Sequence, residues 1–140
     1  MKTRALKLTT LFIIPFLSAC TGGTMVLEDH LSSFMSVSNM SSTEIYYSVK
    51  KSDGYIIYLI NVKEEHALNI HGEVKLEEGS LEFVFYKYES DDQSFNYVKA
   101  TGDLDFDIPL TETGKYKIKI THEDFKGSYR LNWLKNNKNN

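Results

Sequence analysis

The chemistry that this sequence offers begins at its single cysteine, Cys20. Lys2, Arg4 and Lys7 precede an apolar run over residues 8–16. That run is too short to cross a bilayer, because a spanning helix needs about 20 apolar residues. A basic start followed by a short apolar run is typical of a secretory signal. Because the thiolate is a strong nucleophile, Cys20 is a candidate for covalent modification where the signal ends.

The four residues Leu17, Ser18, Ala19 and Cys20 resemble the lipobox of bacterial lipoproteins. The resemblance covers residues 1–20 and implies cleavage between Ala19 and Cys20, with a thioether-linked diacylglycerol on the Cys20 sulfur. Two acyl chains anchor a protein stably, at about 0.8 kcal/mol for each buried methylene. We therefore expect a lipid-anchored protein on the extracytoplasmic face of the cell membrane. An ordinary secretory signal is the alternative.

Composition limits what the anchored part can be. With one cysteine in the chain there is no internal disulfide, so stability must come from a hydrophobic core. The chain has a net charge of −3, and its first 19 residues contain basic but no acidic side chains, so the remainder is more acidic still. An acidic domain argues against nucleic acid as a partner.

Two residue sets were considered as metal ligands. The four histidines lack the spacing of a zinc site, which needs three or four convergent ligands, so we expect no metal and no cofactor through them: His30, His66, His71 and His122. Asp103, Asp105 and Asp107 are a weaker alternative, as a calcium site between strands. The favoured interpretation of these aspartates is a solvated acidic face beside a lysine-rich strand.

The sequence contains no nucleophile elbow, zinc-protease helix or phosphate-binding glycine loop, so we predict that the protein is not an enzyme. An unknown hydrolase is the alternative. Tyrosine is abundant, and exposed tyrosine gives contact area at little entropic cost in protein or sugar recognition. The predicted candidates for such a binding surface are Tyr46, Tyr58, Tyr86, Tyr88 and Tyr97. The competing interpretation is that these are ordinary half-buried strand residues.

From Thr43 onward apolar residues alternate with polar ones, which is the period of a β-strand. Turn-forming residues at 51–54, 77–80 and 123–127 divide this pattern into short strands. Such spacing predicts an all-β fold, an antiparallel sandwich of about seven or eight strands. The predicted strands cover residues 43–50, 55–63, 67–77, 81–88, 95–101, 104–110, 116–121 and 129–133.

The resulting domain plan has four parts. Residues 1–19 are the signal peptide, 20–42 a lipidated N-terminus and serine-rich tether, 43–135 the sandwich, and 136–140 a disordered tail. A short helical turn or an edge strand within residues 25–42 is the alternative to the tether.

Residues 104–116 resemble the corner between two strands of immunoglobulin-like and other β-sandwich modules. In those modules a turn and a glycine precede a tyrosine whose hydroxyl bonds to the upstream backbone. Gly114 and Tyr116 match that pattern, although the core cysteines are missing. The same region also resembles the jelly-roll domains of carbohydrate-binding modules. A single hairpin, with lysines 117 or 119 opposite aspartates 105 or 107, is the alternative.

Together these features predict a membrane-anchored, non-catalytic β-sandwich that binds a protein or glycan of the cell envelope. A protective lipoprotein that sequesters a cationic peptide or an incoming element is one alternative. An envelope enzyme or accessory subunit is another.

Overall fold

A computed structural model of the chain describes residues 23–63, 69–89 and 93–133. The predictions for the signal peptide, for Ala19 and Cys20, for His66 and for the tail at 136–140 lie outside these ranges. Within them no helix is long and apolar enough to span a membrane.

The fold is all-β, as predicted, and contains seven antiparallel strands. Three of the strands are 19 residues long, and the others are shorter. Their bounds are β1 Met25–Asp29, β2 Ser32–Met40, β3 Glu44–Val62, β4 Asn69–Lys87, β5 Ser94–Ala100, β6 Leu104–Pro109 and β7 Gly114–Asn132.

The three long strands lie side by side in the order β3-β7-β4 and continue through both halves of the sheet. The first half of β3 pairs with β2 and the second half of β4 with β5, while β1 and β6 pair with the remaining halves. One half of the sheet therefore has the order β2-β3-β7-β4-β6, and we call it layer one. The other half has the order β1-β3-β7-β4-β5, and we call it layer two. Aromatic contacts between the halves show that they pack face to face as a sandwich.

The long strands bend where the sequence predicted turns. The register shifts in β3 between Val49 and Gly54, and in β4 between Leu76 and Ser80. At each bend the inward parity changes: β3 buries odd positions up to Val49 and even positions from Ser52. The prediction that these residues end one strand and start another was therefore wrong. They form bulges that fold a continuous strand over the core.

Gly127 shows why the bend in β7 needs a residue without a side chain. Its φ is 147°, and a Cβ at this position would lie 2.1 Å from the carbonyl oxygen of Lys75 on the neighbouring strand. L-residues rarely adopt this backbone conformation, so the glycine allows β7 to change layers while keeping its ladder to β4.

The core lies between the layers and is rich in aromatic rings. Phe83 of layer two contacts Tyr129 of layer one edge to face, with centroids 5.6 Å apart, and contacts Phe106 at 5.2 Å. Offset and edge-to-face pairs of this kind add about 0.5–1.5 kcal/mol beyond the area they bury. These contacts hold the layers together without a disulfide.

A polar network is buried beside the bends. The two ring nitrogens of His122 lie 2.9 Å from the Ser52 hydroxyl and 3.1 Å from the Tyr129 hydroxyl. Burial lowers the pKa of His122 to about 4, only partly opposed by Asp53. In the part of the chain that the structure describes, the Tyr47 hydroxyl is buried next to this network without a hydrogen-bond partner.

The tether prediction was wrong for most of its length. Residues 25–29 and 32–40 form β1 and β2, which occupy the outer edges of the two layers beside β3. The sandwich therefore begins near residue 25 rather than at 43. The many serines of β2 disfavour helix, but every side chain of this edge strand is exposed, so serine is tolerated there.

The corner resemblance is matched by the structure, and the hairpin alternative is wrong. β6 pairs with β4 in layer one, whereas the start of β7 belongs to layer two. The Tyr116 hydroxyl donates a hydrogen bond to the Glu112 carbonyl oxygen at 2.5 Å. This bond ties the connection between β6 and β7 to the edge of the core.

Candidate binding site

The structure separates the five tyrosines that the sequence grouped. Tyr86, Tyr88 and Tyr97 lie on the outer face of layer two, and Tyr46 lies on the outer face of layer one. Tyr58 is 3% exposed and points into the core, so its prediction as a surface residue was wrong. The reason is the bend at residues 50–54, which turns even positions of β3 inward.

The outer face of layer two is built around the first half of β7, whose lysines alternate with buried core residues. β3 and β4 flank this lysine row, and they contribute tyrosine and aliphatic side chains that are half-buried. β5 adds Tyr97, which is opposite Val84. We call this surface the tyrosine–lysine face, and it comprises Tyr55, Ile57, Leu59, Val84, Tyr86, Tyr88, Tyr97, Lys115, Lys117 and Lys119.

Each lysine of the row lies over a tyrosine ring. The ammonium of Lys119 is 4.5 Å from the Tyr55 centroid, and that of Lys117 is 5.8 Å from Tyr86. The ammonium of Lys115 is 5.8 Å from the Tyr88 centroid, and this ring lies on the β4 side of the lysine row, as Tyr86 does. Cation–π contacts at such exposed positions contribute about 0.5–1 kcal/mol. The rings therefore orient the ammonium groups along the face without neutralising their charge.

The centre of the face is positively charged in an otherwise acidic protein. Among the described residues neither Lys115 nor Lys119 forms an ion pair. At the margin of the face, Lys99 and Glu82 form an ion pair at 3.6 Å. Desolvation raises the pKa of the nearby Tyr97 hydroxyl, as does Glu82, so this tyrosine is protonated at neutral pH. The face thus presents Lys115 and Lys119 without a carboxylate partner among the described residues, beside the protonated Tyr97.

A cavity of about 480 Å³ opens at one end of the face, beyond Tyr88 and Lys115. The Tyr116 corner lies beneath it, and Lys87 and Glu112 form an ion pair in its wall. The pair keeps the pKa of Lys87 above its usual range. This end of the face therefore carries both charge signs, unlike the central row.

The opposite face, the outside of layer one, is polar, and two of its cationic side chains contact carboxylates. We call it the polar face; on it Arg130 lies 3.5 Å from Glu44 and 5.0 Å from the Tyr46 ring. His71 lies 2.9 Å from Asp107 and 3.5 Å from Glu73. The hydrogen bond to Asp107 is the main reason that the pKa of His71 is raised. Charges that already have partners have less to offer a ligand.

The three aspartates considered for calcium have separate roles. Asp103 accepts a hydrogen bond from the Leu76 amide, and Asp107 accepts one from the Asn69 amide group at 2.9 Å. Asp105 lies opposite Glu73 in the pairing of β4 with β6. No group of three or more residues that could hold a metal ion is present in the part of the chain that the structure describes.

Sequence reasoning missed Tyr55, Ile57 and Leu59 as members of the face. The available signal was that residues 55–63 are apolar at both odd and even positions. That pattern favoured a strand buried on both sides, but here one set faces the core and the other half-covers the outer surface. Apolar residues on the outward side of a sheet indicate a contact surface.

No protein-family model matches this sequence, and no curated protein is similar to it. Among solved structures, CBM35 from Paenibacillus barcinonensis is 12% identical with a TM-score of 0.39, covering 79% of this chain and 96% of that one. The family 11 carbohydrate-binding module from Clostridium thermocellum, in complex with a β-1,3-1,4-mixed-linked tetrasaccharide, is 10% identical with a TM-score of 0.34, covering 80% and 94%. TmCBM61 in complex with β-1,4-galactotriose is 14% identical with a TM-score of 0.36, covering 79% and 83%. At these values the similarity concerns strand arrangement, and the chemistry of each face is set by this chain's own side chains.

Proposed function

We propose that this protein is a membrane-anchored, non-catalytic module that binds a glycan of the cell envelope through its tyrosine–lysine face. The observation that carries the proposal is the concentration of outward-facing tyrosines on one sheet surface, with Tyr88 43% and Tyr97 52% exposed. Tyrosine offers an apolar ring to the C–H face of a sugar and a hydroxyl to its polar edge.

The shape of the face suits an extended ligand. Small molecules bind in concave pockets that bury most of their surface, whereas this face is the outer surface of a sheet. Residues two apart on a strand are about 6.6–6.8 Å apart, and neighbouring strands are about 4.8 Å apart. Tyr86 and Tyr88 therefore form an aromatic row beside the lysines of β7, along which a polymer can lie.

The proposed anchor places this face close to a membrane. Cys20 and the segment before it support lipidation by their resemblance to a lipobox. Met25, the first residue of β1, is five positions after Cys20, and an extended chain rises at most about 3.6 Å per residue. A lipid on Cys20 would hold the sandwich within about 20 Å of the bilayer, where envelope polymers are within reach.

Sequestration of a cationic peptide needs unpaired carboxylates, and it receives less support. On the polar face Glu44 already contacts Arg130, and Asp107 contacts His71.

Binding is tested with residues 20–140 carrying Cys20→Ser, a chain that includes every strand of the sandwich. It is screened against envelope and plant polysaccharides by affinity electrophoresis and calorimetry. We expect Tyr86→Ala and Tyr88→Ala to weaken binding at least tenfold, as loss of an aromatic contact typically costs about 1–3 kcal/mol. Tyr46→Ala removes a tyrosine from the opposite face and serves as the matched control. Equal loss in all three variants, or no binding to any glycan, would contradict the proposal.

The anchor is tested separately in cells with the full chain. Cys20→Ala should abolish labelling by radioactive palmitate and should leave an uncleaved precursor. Membrane fractionation of the two forms measures the result. Unchanged labelling and processing in the variant would refute the anchor, whatever the outcome for glycan binding.

A further inference from the structure

We infer that the ligand of the tyrosine–lysine face is an anionic glycan polymer, one whose repeating units carry carboxylate or phosphate groups. This inference rests on the proposed function and specifies its ligand class. Lys115, Lys117 and Lys119 are the specificity-determining residues, and the flanking tyrosines supply the contact to the sugar rings.

The lysines form a regular row on the central strand of the sandwich. β7 is the central strand and pairs along its whole length with β3 on one side and β4 on the other. Between the lysines, Tyr116, Ile118 and Ile120 are anchored in the core. The three ammonium groups are therefore carried on Cα atoms spaced by about 6.6–6.8 Å, so the row extends over about 13 Å. Ammonium groups at a fixed spacing match a ligand that carries charges at regular intervals better than a ligand that carries a single charge.

The row is arranged to receive anions. Its cations rest on tyrosine rings, whereas on the polar face Glu44 contacts Arg130 and Asp107 contacts His71. Lys119 and Lys115, at the two ends of the row, have no carboxylate partner among the residues described. An anion that approaches them displaces only water, because no internal ion pair has to be broken. Lysine acts as a compact point charge with a mobile stem and suits both carboxylate and phosphate.

The aromatic and aliphatic residues beside the row argue for a glycan rather than for a purely electrostatic surface. Ile57 and Leu59 on β3, and Tyr86 on β4, half-cover the sheet on both sides of the lysines. A sugar ring can rest on these groups while its charged substituent points to the row. The net charge of −3 for the whole chain opposes general attraction to polyanions such as nucleic acid, so the local contacts must provide selectivity.

The reference protein in the test is residues 20–140 carrying Cys20→Ser, in which the face is unchanged. It is compared with two triple variants. The first replaces the row: Lys115→Met, Lys117→Met and Lys119→Met. The matched control removes the same charge from layer one and its bend: Lys50→Met, Lys75→Met and Lys126→Met. Probes are polygalacturonate for carboxylate, poly(glycerol phosphate) for phosphate, and dextran and soluble xyloglucan as neutral glycans. Circular dichroism and thermal melting verify that each variant is folded.

We expect the native face to bind at least one anionic polymer at least tenfold more tightly than either neutral glycan. The row variant should lose at least tenfold in affinity, the control variant less than twofold, and binding should weaken between 50 and 300 mM salt. The single variant Lys117→Glu should reproduce the loss if the triple variant is unstable.

Three outcomes would overturn the inference. Binding of a neutral glycan that depends on Tyr86 and Tyr88 but not on the lysine row would leave the proposed function in place and refute the anionic ligand. Binding to anionic phospholipid vesicles or to single-stranded DNA that is as tight as, or tighter than, binding to the anionic glycans would show that the preferred polyanion is not a glycan. Failure to bind any of the four polymers or any glycan of the wider screen would remove both the inference and the proposed function.

Discussion

At the scale of single residues, the pKa values of two histidines are shifted in opposite directions from their usual value. His122 is buried and its pKa is lowered to about 4, whereas a hydrogen bond to Asp107 raises the pKa of the exposed His71. We predict that a two-dimensional NMR titration will show His122 remaining neutral at pH 5 while His71 is protonated. The two resonances are internal controls for each other. Coincident midpoints near 6.5 would contradict the buried network.

His122 also makes the free energy of unfolding depend on pH. In the unfolded chain His122 has a pKa near 6.5, so between about pH 6.5 and 4 the unfolded state binds the extra proton. The free energy of unfolding should therefore fall as the pH drops through this window, by up to about 1.4 kcal/mol per pH unit from this group. Urea unfolding at several pH values measures the slope. His122→Gln should flatten it, and an unchanged slope in that variant would refute the assignment.

Tyr47 and Tyr129 are stacked 5.5 Å apart but differ in their hydroxyl groups. The Tyr47 hydroxyl is buried without a partner, whereas the Tyr129 hydroxyl contacts the His122 ring. Tyr47→Phe should leave stability unchanged or raise it by up to about 1 kcal/mol, because it removes an unsatisfied polar group. Tyr129→Phe should cost about 1–2 kcal/mol, since it leaves His122 short of a partner. Denaturant unfolding measures both, and a larger loss for Tyr47→Phe would contradict this account.

At the scale of elements, the sandwich depends on bends within continuous strands. Gly127→Ala should destabilise the protein by at least about 2 kcal/mol, because the backbone conformation is strained for alanine and the new Cβ meets the Lys75 carbonyl. Gly102→Ala is the control, since no atom lies within 4 Å of a Cβ built there. Thermal and urea unfolding compare the two variants. Equal stability of both would mean that the bend in β7 is relaxed.

Local patterns predicted the strands but not how they connect. The alternation of apolar residues identified most of β3, β4, β6 and β7, because one side of each packs on the core. The turn residues at 51–54 were correctly placed as breaks in the pattern. Whether such a break reverses the chain or bends it depends on pairing with β7, which is distant in sequence. The sequence indicated β1 and β2 only as an edge-strand alternative within residues 25–42, because exposed edge strands bury few side chains and show little periodicity.

The residues of the candidate site were predictable only in part, because long-range strand pairing also decides which side chains share a face. Tyr86, Tyr88 and Tyr97 were among the predicted surface tyrosines, and all three lie on the face. Tyr58 was assigned to the surface and Tyr55 was not included, because an apolar strand gives no sign of which parity faces the core. The lysine row was visible in the sequence, but its tyrosine neighbours come from β3 and β4 through long-range pairing.

At the scale of the whole molecule, the two outer faces of the sandwich differ in kind. On the polar face Arg130 and His71 contact carboxylates, whereas on the tyrosine–lysine face Lys115 and Lys119 rest on tyrosine rings and have no carboxylate partner among the described residues. Because Cys20, the proposed lipidation site, lies five positions before Met25 of β1 in layer two, the lipid would be attached beside the proposed binding layer. This arrangement fits a module that holds an envelope polymer near the membrane.

The central claim is that ligand meets layer two at the β7 lysine row. The most direct measurement is amide chemical-shift mapping of residues 20–140 with Cys20→Ser during titration with oligogalacturonate, or with the anionic polymer that binds best. We predict that perturbed resonances will cluster at residues 115–119, at Tyr86 and Tyr88, and at Tyr97. Perturbations centred on Tyr46, His71 and Arg130 would place the ligand on the polar face and would contradict the account.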